Sequence, residues 1–144
     1  MQTQSFMVDV PGGQVFVQRW QPASAPGDAC PIVLLHESLG SVGQWHDFPA
    51  RLAQATGREV LAYDRLGFGQ SSPRSDAPSL QFIAHEAQQH FPALVAALGL
   101  ERYALLGHSV GAVMALHIAA AHPAQCQAVL SLSAQAYVQP QTLE

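Results

Sequence analysis

Short apolar runs recur along the chain, and the longer segments between them have helical periodicity. Four of these runs have no polar face: residues 31–35, 59–63, 103–106 and 128–132. A strand without a polar face is covered on both sides, which is typical of a parallel sheet that lies between helices. Two further strand-like runs, 5–10 and 14–20, flank Pro11-Gly12-Gly13 and predict an N-terminal β-hairpin.

The segments between the apolar runs predict three helices, at residues 45–56, 79–98 and 110–121. Gly57 and Gly99 end the first two helices, and Pro92 should bend the second. Strands and helices therefore alternate, and connections between parallel strands are right-handed. The pattern predicts an α/β fold with a mostly parallel sheet, helices on both faces and an N-terminal hairpin. The polar stretch after Tyr137 predicts no further element.

Composition narrows the function classes. The chain has 144 residues, of which 49% are hydrophobic and 11% charged, which suits one ordered domain with a sizeable core. A net charge of −4 without a basic cluster argues against nucleic acid as a partner. No leader pattern and no stretch of membrane-spanning length are visible, so we expect a cytoplasmic protein that makes no membrane contact. Cys30 and Cys126 look like small buried hydrophobes, and no metal or cofactor is expected.

The segment Gly107-His108-Ser109-Val110-Gly111 has the pattern G-x-S-x-G. It follows an apolar strand and opens an apolar helix, which is the placement of a nucleophile elbow. A turn this sharp needs small flanking residues and lifts the Ser109 hydroxyl away from the backbone. The alternative is a Gly-Ser turn that only connects a strand to a helix.

Two other polar clusters follow apolar strands: His36-Glu37-Ser38-Leu39-Gly40-Ser41, and Asp64-Arg65-Leu66-Gly67-Phe68-Gly69-Gln70-Ser71. Together with the turn at Ser109, in this order, they resemble the α/β-hydrolase superfamily, in its esterase and small-molecule hydrolase branches. A serine nucleophile disfavours a haloalkane dehalogenase. The chain is thus similar to the N-terminal portion of an α/β-hydrolase fold.

The resemblance implies a role for each residue near the turn. Ser109 is the nucleophile, and the backbone N–H groups of Val110 and Ser38 form the oxyanion hole. Glu37 stands where relatives usually have glycine, which leaves either the Glu37 or the Ser38 N–H as the second donor; we favour Ser38. We expect His36 to brace this loop, with a role as base as the alternative. His108 adjoins Ser109 but should point away from it.

In the superfamily the triad acid and histidine come after the nucleophile, on later strands. We therefore interpret 1–144 as a single, incomplete domain that lacks the C-terminal strands, the cap, the acid and the histidine. The other histidines do not fit a base. We expect Asp64 to cap its own turn, and Arg65 and Arg74 to be solvated loop residues.

These expectations give three hypotheses for function. In the first, the parent protein cleaves an ester or related acyl bond of a small molecule, and this chain alone is inactive. In the second, the chain is a non-catalytic half-domain. In the third, the same fold works as a cofactor-free perhydrolase or acyltransferase. In each, the strand at 128–132 should be an exposed edge that pairs with a second copy or with a complementing C-terminal half.

Overall fold

The computed structural model describes residues 1–24, 27–77 and 79–135, so the polar stretch after Tyr137 lies outside the described residues. Its sheet contains six strands, which along the chain are β1 (Gln2–Val10), β2 (Gly13–Gln21), β3 (Ile32–Leu35), β4 (Val60–Tyr63), β5 (Tyr103–His108) and β6 (Cys126–Leu132). Their spatial order is β1-β2-β4-β3-β5-β6. β1 and β2 form an antiparallel hairpin, β2 pairs antiparallel with β4, and β4, β3, β5 and β6 are parallel. The predicted α/β fold with its N-terminal hairpin is confirmed.

Two predicted helices, 45–56 and 110–121, are closely confirmed, whereas the predicted helix at 79–98 is divided into three segments. The helical segments are a 3-10 turn (Val42–Trp45), α1 (Phe48–Thr56), α2 (Phe82–His85), a π-helical turn (Glu86–His90), α3 (Phe91–Ala97) and α4 (Val110–Ala121). Gly57 ends α1 in the left-handed conformation, at φ 66°. The bend expected at Pro92 takes the form of the π-helical turn, in which the Phe91 N–H donates to the Glu86 carbonyl.

Helices cover both faces of the sheet because consecutive β-strand residues point to opposite sides. On one face, Leu34 and Leu106 pack with Ala53 of α1. On the other face, Leu35 packs in one cluster with Phe91 of α3 and with the buried residues of α4. Each inner strand therefore has two apolar faces, which explains the uninterrupted apolar runs in the sequence.

β6 is the last strand of the sheet in the described part of the chain. The prediction of an edge is confirmed, but the prediction of a buried strand is wrong here, since Leu130 is 53% exposed and Leu132 is 40% exposed. Cys30 and Cys126 are also less buried than expected: both are half-buried, Cys30 just before β3 and Cys126 at the start of β6.

Candidate active site

Ser109 is the single residue between β5 and α4, and it has φ 56° and ψ −118°. An L-residue rarely adopts this backbone conformation, which costs about 1–3 kcal/mol and persists only where the surroundings impose it. Two backbone hydrogen bonds hold Ser109 in place. The Ser109 N–H donates to the Leu132 carbonyl of β6 at 2.9 Å, and the Ser109 carbonyl accepts from the Ala112 N–H at 3.0 Å. The side chain is half-buried at the carboxyl end of the sheet.

The two glycines of the turn allow β5 and α4 to approach closely. A Cβ atom on Gly107 would overlap the Gly111 carbonyl, and one on Gly111 would overlap the Leu35 carbonyl of β3. Both positions therefore need glycine for space, and neither has a positive φ. The strained residue of the turn is the serine itself, as expected for a nucleophile elbow.

Val110 and Ser38, the two residues predicted to supply oxyanion donors, line the same cleft. Val110 is the first residue of α4, and Ser38 is exposed on the loop after β3. Within residues 1–24, 27–77 and 79–135, neither N–H has a hydrogen-bond acceptor. The cleft has a volume of about 210 Å³, and its other walls are formed by Arg65, Leu66, Phe68, Arg74, Phe82, Glu86 and Met114. Free donors beside a cleft are the arrangement that can stabilise a developing oxyanion.

His36 is 2% exposed and has both ring nitrogens engaged. Its Nε2 accepts the Arg65 N–H at 3.1 Å, so in the neutral ring the proton sits on Nδ1, which donates to the Glu37 carbonyl at 2.8 Å. Burial, and then the Arg65 charge, lower the pKa of His36 to about 3. The ring is therefore neutral at pH 7, and it has no free nitrogen with which to take a proton from a serine.

The expectation that Arg65 is a solvated surface residue is wrong. It is 5% exposed, and its guanidinium donates from Nη1 to the His36 carbonyl and from Nη2 to the Glu37 carbonyl at 2.6 Å. Its cation also lies over the Phe68 ring, at 5.0 Å from the centroid. Arg65, the second residue after β4, therefore reaches the loop after β3. Arg74 too is more buried than expected, with 22% of its side chain exposed, and it pairs with Asp76 at 3.6 Å.

Asp64 caps its own glycine-rich turn, as predicted, and also links two loops. Oδ2 accepts the Gln70 N–H at 2.7 Å, and Oδ1 accepts the Val42 N–H at 2.6 Å. Gly69, at φ 49°, must be glycine because a Cβ there would overlap the Asp64 carboxylate. Both carboxylate oxygens therefore hold backbone N–H groups of the loops.

The sequence did not predict that Glu86, which lines the cleft, is a buried carboxylate with two side-chain partners. Glu86, in the π-helical turn, is 4% exposed; it accepts from the Tyr63 hydroxyl at 2.6 Å and pairs with His90 at 3.1 Å. Burial, followed by Glu86, raises the pKa of Tyr63 well above its usual value. A signal was present in the sequence, because Glu86 interrupts the apolar face formed by Ile83, Ala87 and Phe91.

No histidine in the described part of the chain forms a hydrogen bond with the Ser109 hydroxyl. His108 lies half-buried at the end of β5, and His46 and His117 are exposed. His122 is bonded to the Ala87 carbonyl at 3.0 Å. Among residues 1–24, 27–77 and 79–135 there is also no group of three or more His, Cys, Asp or Glu side chains suited to a metal ion. The described site therefore holds a serine turn and two donors but no partner that could activate the serine.

The sequence matches the family described as "alpha/beta hydrolase fold" over residues 31–143. The chain belongs to the α/β-hydrolase family. It is 34% identical over 89 residues to a proline iminopeptidase from Lactobacillus delbrueckii subsp. lactis, an alignment that covers 62% of this chain and 30% of that protein.

Among solved structures, the proline iminopeptidase of Mycobacterium smegmatis superposes with a TM-score of 0.78 at 32% identity, covering 92% of this chain and 44% of that one. Naproxen esterase from Bacillus subtilis superposes with a TM-score of 0.73 at 25% identity, covering 92% of this chain and 44% of the esterase. These similarities show a hydrolase family and leave the reaction open.

The chain spans less than half the length of the curated relatives it matches, from 30% to 46%. The family match over residues 31–143 contains β3, β4, β5 and β6 and the turn at Ser109. In the described residues, no helix is both long and apolar enough to cross a membrane.

Proposed function

We propose that this chain supplies the nucleophile and the oxyanion donors of a cofactor-free serine hydrolase that cleaves an ester or related acyl bond of a small molecule. The observation that carries the proposal is the backbone of Ser109, at φ 56° and ψ −118° between a buried strand and a helix. The exposed His46, between the 3-10 turn and α1, has a similar backbone conformation (φ 49°, ψ −122°), so the conformation alone does not distinguish a nucleophile. What favours a nucleophile elbow is this conformation together with the close-packed Gly107 and Gly111 and the position between a strand and a helix. The α/β-hydrolase family and the iminopeptidase and esterase relatives support the same reaction class.

The proposed chemistry begins when Ser109 Oγ bonds to the acyl carbon and its proton passes to a base. The carbonyl electrons move onto oxygen, and the resulting oxyanion accepts from the N–H groups of Val110 and Ser38. The leaving group departs with a proton, and water then releases the acyl group from the serine. Removing one such oxyanion donor typically lowers kcat by about 10²–10³.

We propose that the base and its acid come from a segment outside the described residues. His36 is excluded as the base because both of its ring nitrogens are occupied, and its proposed role is to brace the oxyanion loop. Since relatives are more than twice as long as the matched region, the complete protein has room for both groups. Residues 1–144 on their own should hydrolyse esters very slowly, because a serine without a base is a weak nucleophile.

The decisive experiment is labelling of the complete protein with a fluorophosphonate probe, followed by peptide mass spectrometry. Ser109 should be modified, and Ser109→Ala should abolish labelling. Ser133→Ala is a matched control, because Ser133 also has φ 56° at the end of a neighbouring strand but is exposed. It should label normally. A complete protein that contains a downstream histidine and leaves Ser109 unmodified would contradict the proposal.

A second proposal concerns the edge formed by β6. We propose that a complementing C-terminal segment covers it, because Leu130 and Leu132 are exposed and apolar, and a bare strand edge invites pairing. Residues 1–144 alone should then self-associate in sedimentation velocity at micromolar concentration, whereas the complete protein should not associate through this edge. A monodisperse monomer of residues 1–144 would refute this.

A further inference from the structure

We propose that Arg65 is a positioning residue that fixes the direction of the Ser38 N–H in the oxyanion site. The inference rests on the proposed function, because it assigns Arg65 a task in the same reaction. Arg65 does not touch the reacting atoms. It acts on the peptide group that joins Glu37 to Ser38.

The peptide group between Glu37 and Ser38 is rigid and planar. In a trans peptide, the carbonyl of one residue and the N–H of the next point in opposite directions from one rigid plane. The carbonyl of Glu37 and the N–H of Ser38 belong to the same plane. Whatever holds the Glu37 carbonyl on one side therefore determines where the Ser38 N–H points on the other.

Three donors hold that carbonyl. Arg65 Nη2 donates to it at 2.6 Å, His36 Nδ1 at 2.8 Å and the Gly40 N–H at 3.3 Å. A carbonyl oxygen has two lone pairs, so it is fully occupied by these donors. The Ser38 N–H on the opposite side has no acceptor among the described residues, and Ser38 lines the cleft.

Arg65 is the only one of the three donors that lies outside the loop, so it sets the loop's position relative to β4. Its two guanidinium nitrogens reach two consecutive carbonyls, of His36 and Glu37, and its backbone N–H donates to the His36 ring. The planar guanidinium fork is suited to such a pair of acceptors, whereas a lysine ammonium is not. A positive charge on the carbonyl side also polarises the peptide and strengthens its N–H as a donor.

The surroundings keep the guanidinium charged in a buried position. Burial lowers the pKa of Arg65, but the nearby carboxylates of Glu86 and Asp64 act in the opposite direction. Glu86 and Arg65 both line the cleft. In this proposal, the buried Glu86 carboxylate offsets part of the Arg65 charge.

The test compares Arg65→Lys, Arg65→Met and Arg65→Ala with Arg58→Met in the complete protein, with p-nitrophenyl acetate as substrate. Arg58 is a matched control, because it donates to the Cys30 carbonyl at 3.0 Å, just before β3, while Arg65 acts just after β3. We expect Arg65→Met to lower kcat on the order of 10²-fold with little change in KM. Arg58→Met should leave kcat unchanged.

Two further readouts distinguish positioning from a general structural role. In isotope-edited infrared spectra, the carbonyl stretch of the acyl-enzyme should move to higher wavenumber in Arg65→Met, since a lost donor leaves that carbonyl less polarised. Added guanidinium chloride at millimolar concentration should restore part of kcat in Arg65→Ala, whereas it should not change kcat in the wild type or in Arg58→Met. Arg65→Lys should retain an intermediate kcat, because it keeps the charge but cannot reach both carbonyls.

The outcomes separate this inference from the proposed function. If the wild-type protein neither turns over the ester nor labels at Ser109, the proposed function fails. If it does both, and the Arg65 variants keep their kcat and carbonyl frequency, only the role of Arg65 is overturned. If Arg65→Met does not fold, a folded Arg65→Lys with wild-type kcat and carbonyl frequency would overturn it equally.

Discussion

The strained backbone of Ser109 predicts that its replacement by glycine stabilises the protein relative to its replacement by alanine. Both variants lose the hydroxyl, so their difference isolates the backbone. At φ 56° and ψ −118°, alanine keeps a cost of about 1–3 kcal/mol that glycine avoids. Glycine loses roughly 0.5–1 kcal/mol to its greater freedom in the unfolded chain. Ser109→Gly should therefore be more stable than Ser109→Ala by up to about 2.5 kcal/mol.

The assay is urea unfolding of both variants under identical conditions, supported by thermal unfolding, in which 1 kcal/mol corresponds to roughly 2–4 °C at this size. The control is the pair His117→Gly and His117→Ala, at an exposed position within α4. There the order should reverse, with glycine less stable by about 1 kcal/mol. If alanine were the more stable residue at position 109 as well, the turn would not be strained, and the main support for the proposed nucleophile would be lost.

Three other perturbations test the packing and charge of the same site. Gly111→Ala should destabilise the protein by about 1–3 kcal/mol, because its Cβ meets a β3 carbonyl, whereas Gly27→Ala has open space and should change little; chemical unfolding measures both. His36 titrates near 6.5 when unfolded and near 3 when folded, so its contribution of up to about 5 kcal/mol is complete above pH 6.5 and is lost as the pH falls towards 3. The difference in unfolding free energy between wild type and His36→Gln, followed from pH 7 to pH 4, should shrink accordingly; a constant difference would refute the assignment. Tyr63→Phe removes the donor to the buried Glu86 and should cost about 1.5–3 kcal/mol by the same assay.

The fold could be predicted from the sequence because its signal, a short apolar run, is local and occurs several times along the chain. Runs such as 31–35 have no polar residue, and a parallel sheet between helices satisfies all of them at once. The position of Ser109 was predictable for a similar reason, since two glycines, a strand and a helix meet within a few residues. The sequence pattern did not predict the division of the helix at 79–98, because it does not distinguish a continuous α-helix from one that contains a π-helical turn before Pro92.

The contacts of Arg65 and Glu86 were beyond the sequence analysis because they depend on which loops become neighbours. The sheet order places β4 beside β3, and for this reason Arg65, two residues after β4, can reach the loop after β3. In the sequence, Arg65 stands in a polar, glycine-rich stretch where most charged residues are solvated. Glu86 gave a weaker signal, a carboxylate on an apolar helical face, which points to burial without naming its partner.

The candidate site is organised around β3, the strand between β4 and β5. The loop after β4 holds the loop after β3 through Arg65 and Asp64, while the turn at Ser109 rests on the Leu35 carbonyl through Gly111. Ser109 and the loop that carries Ser38 are thus both held against the same short strand. Because side chains and strands packed in a sheet move little, this arrangement would be in place before any substrate enters. Under the proposed function, the geometry of the oxyanion site would therefore depend on β3 and its two neighbours.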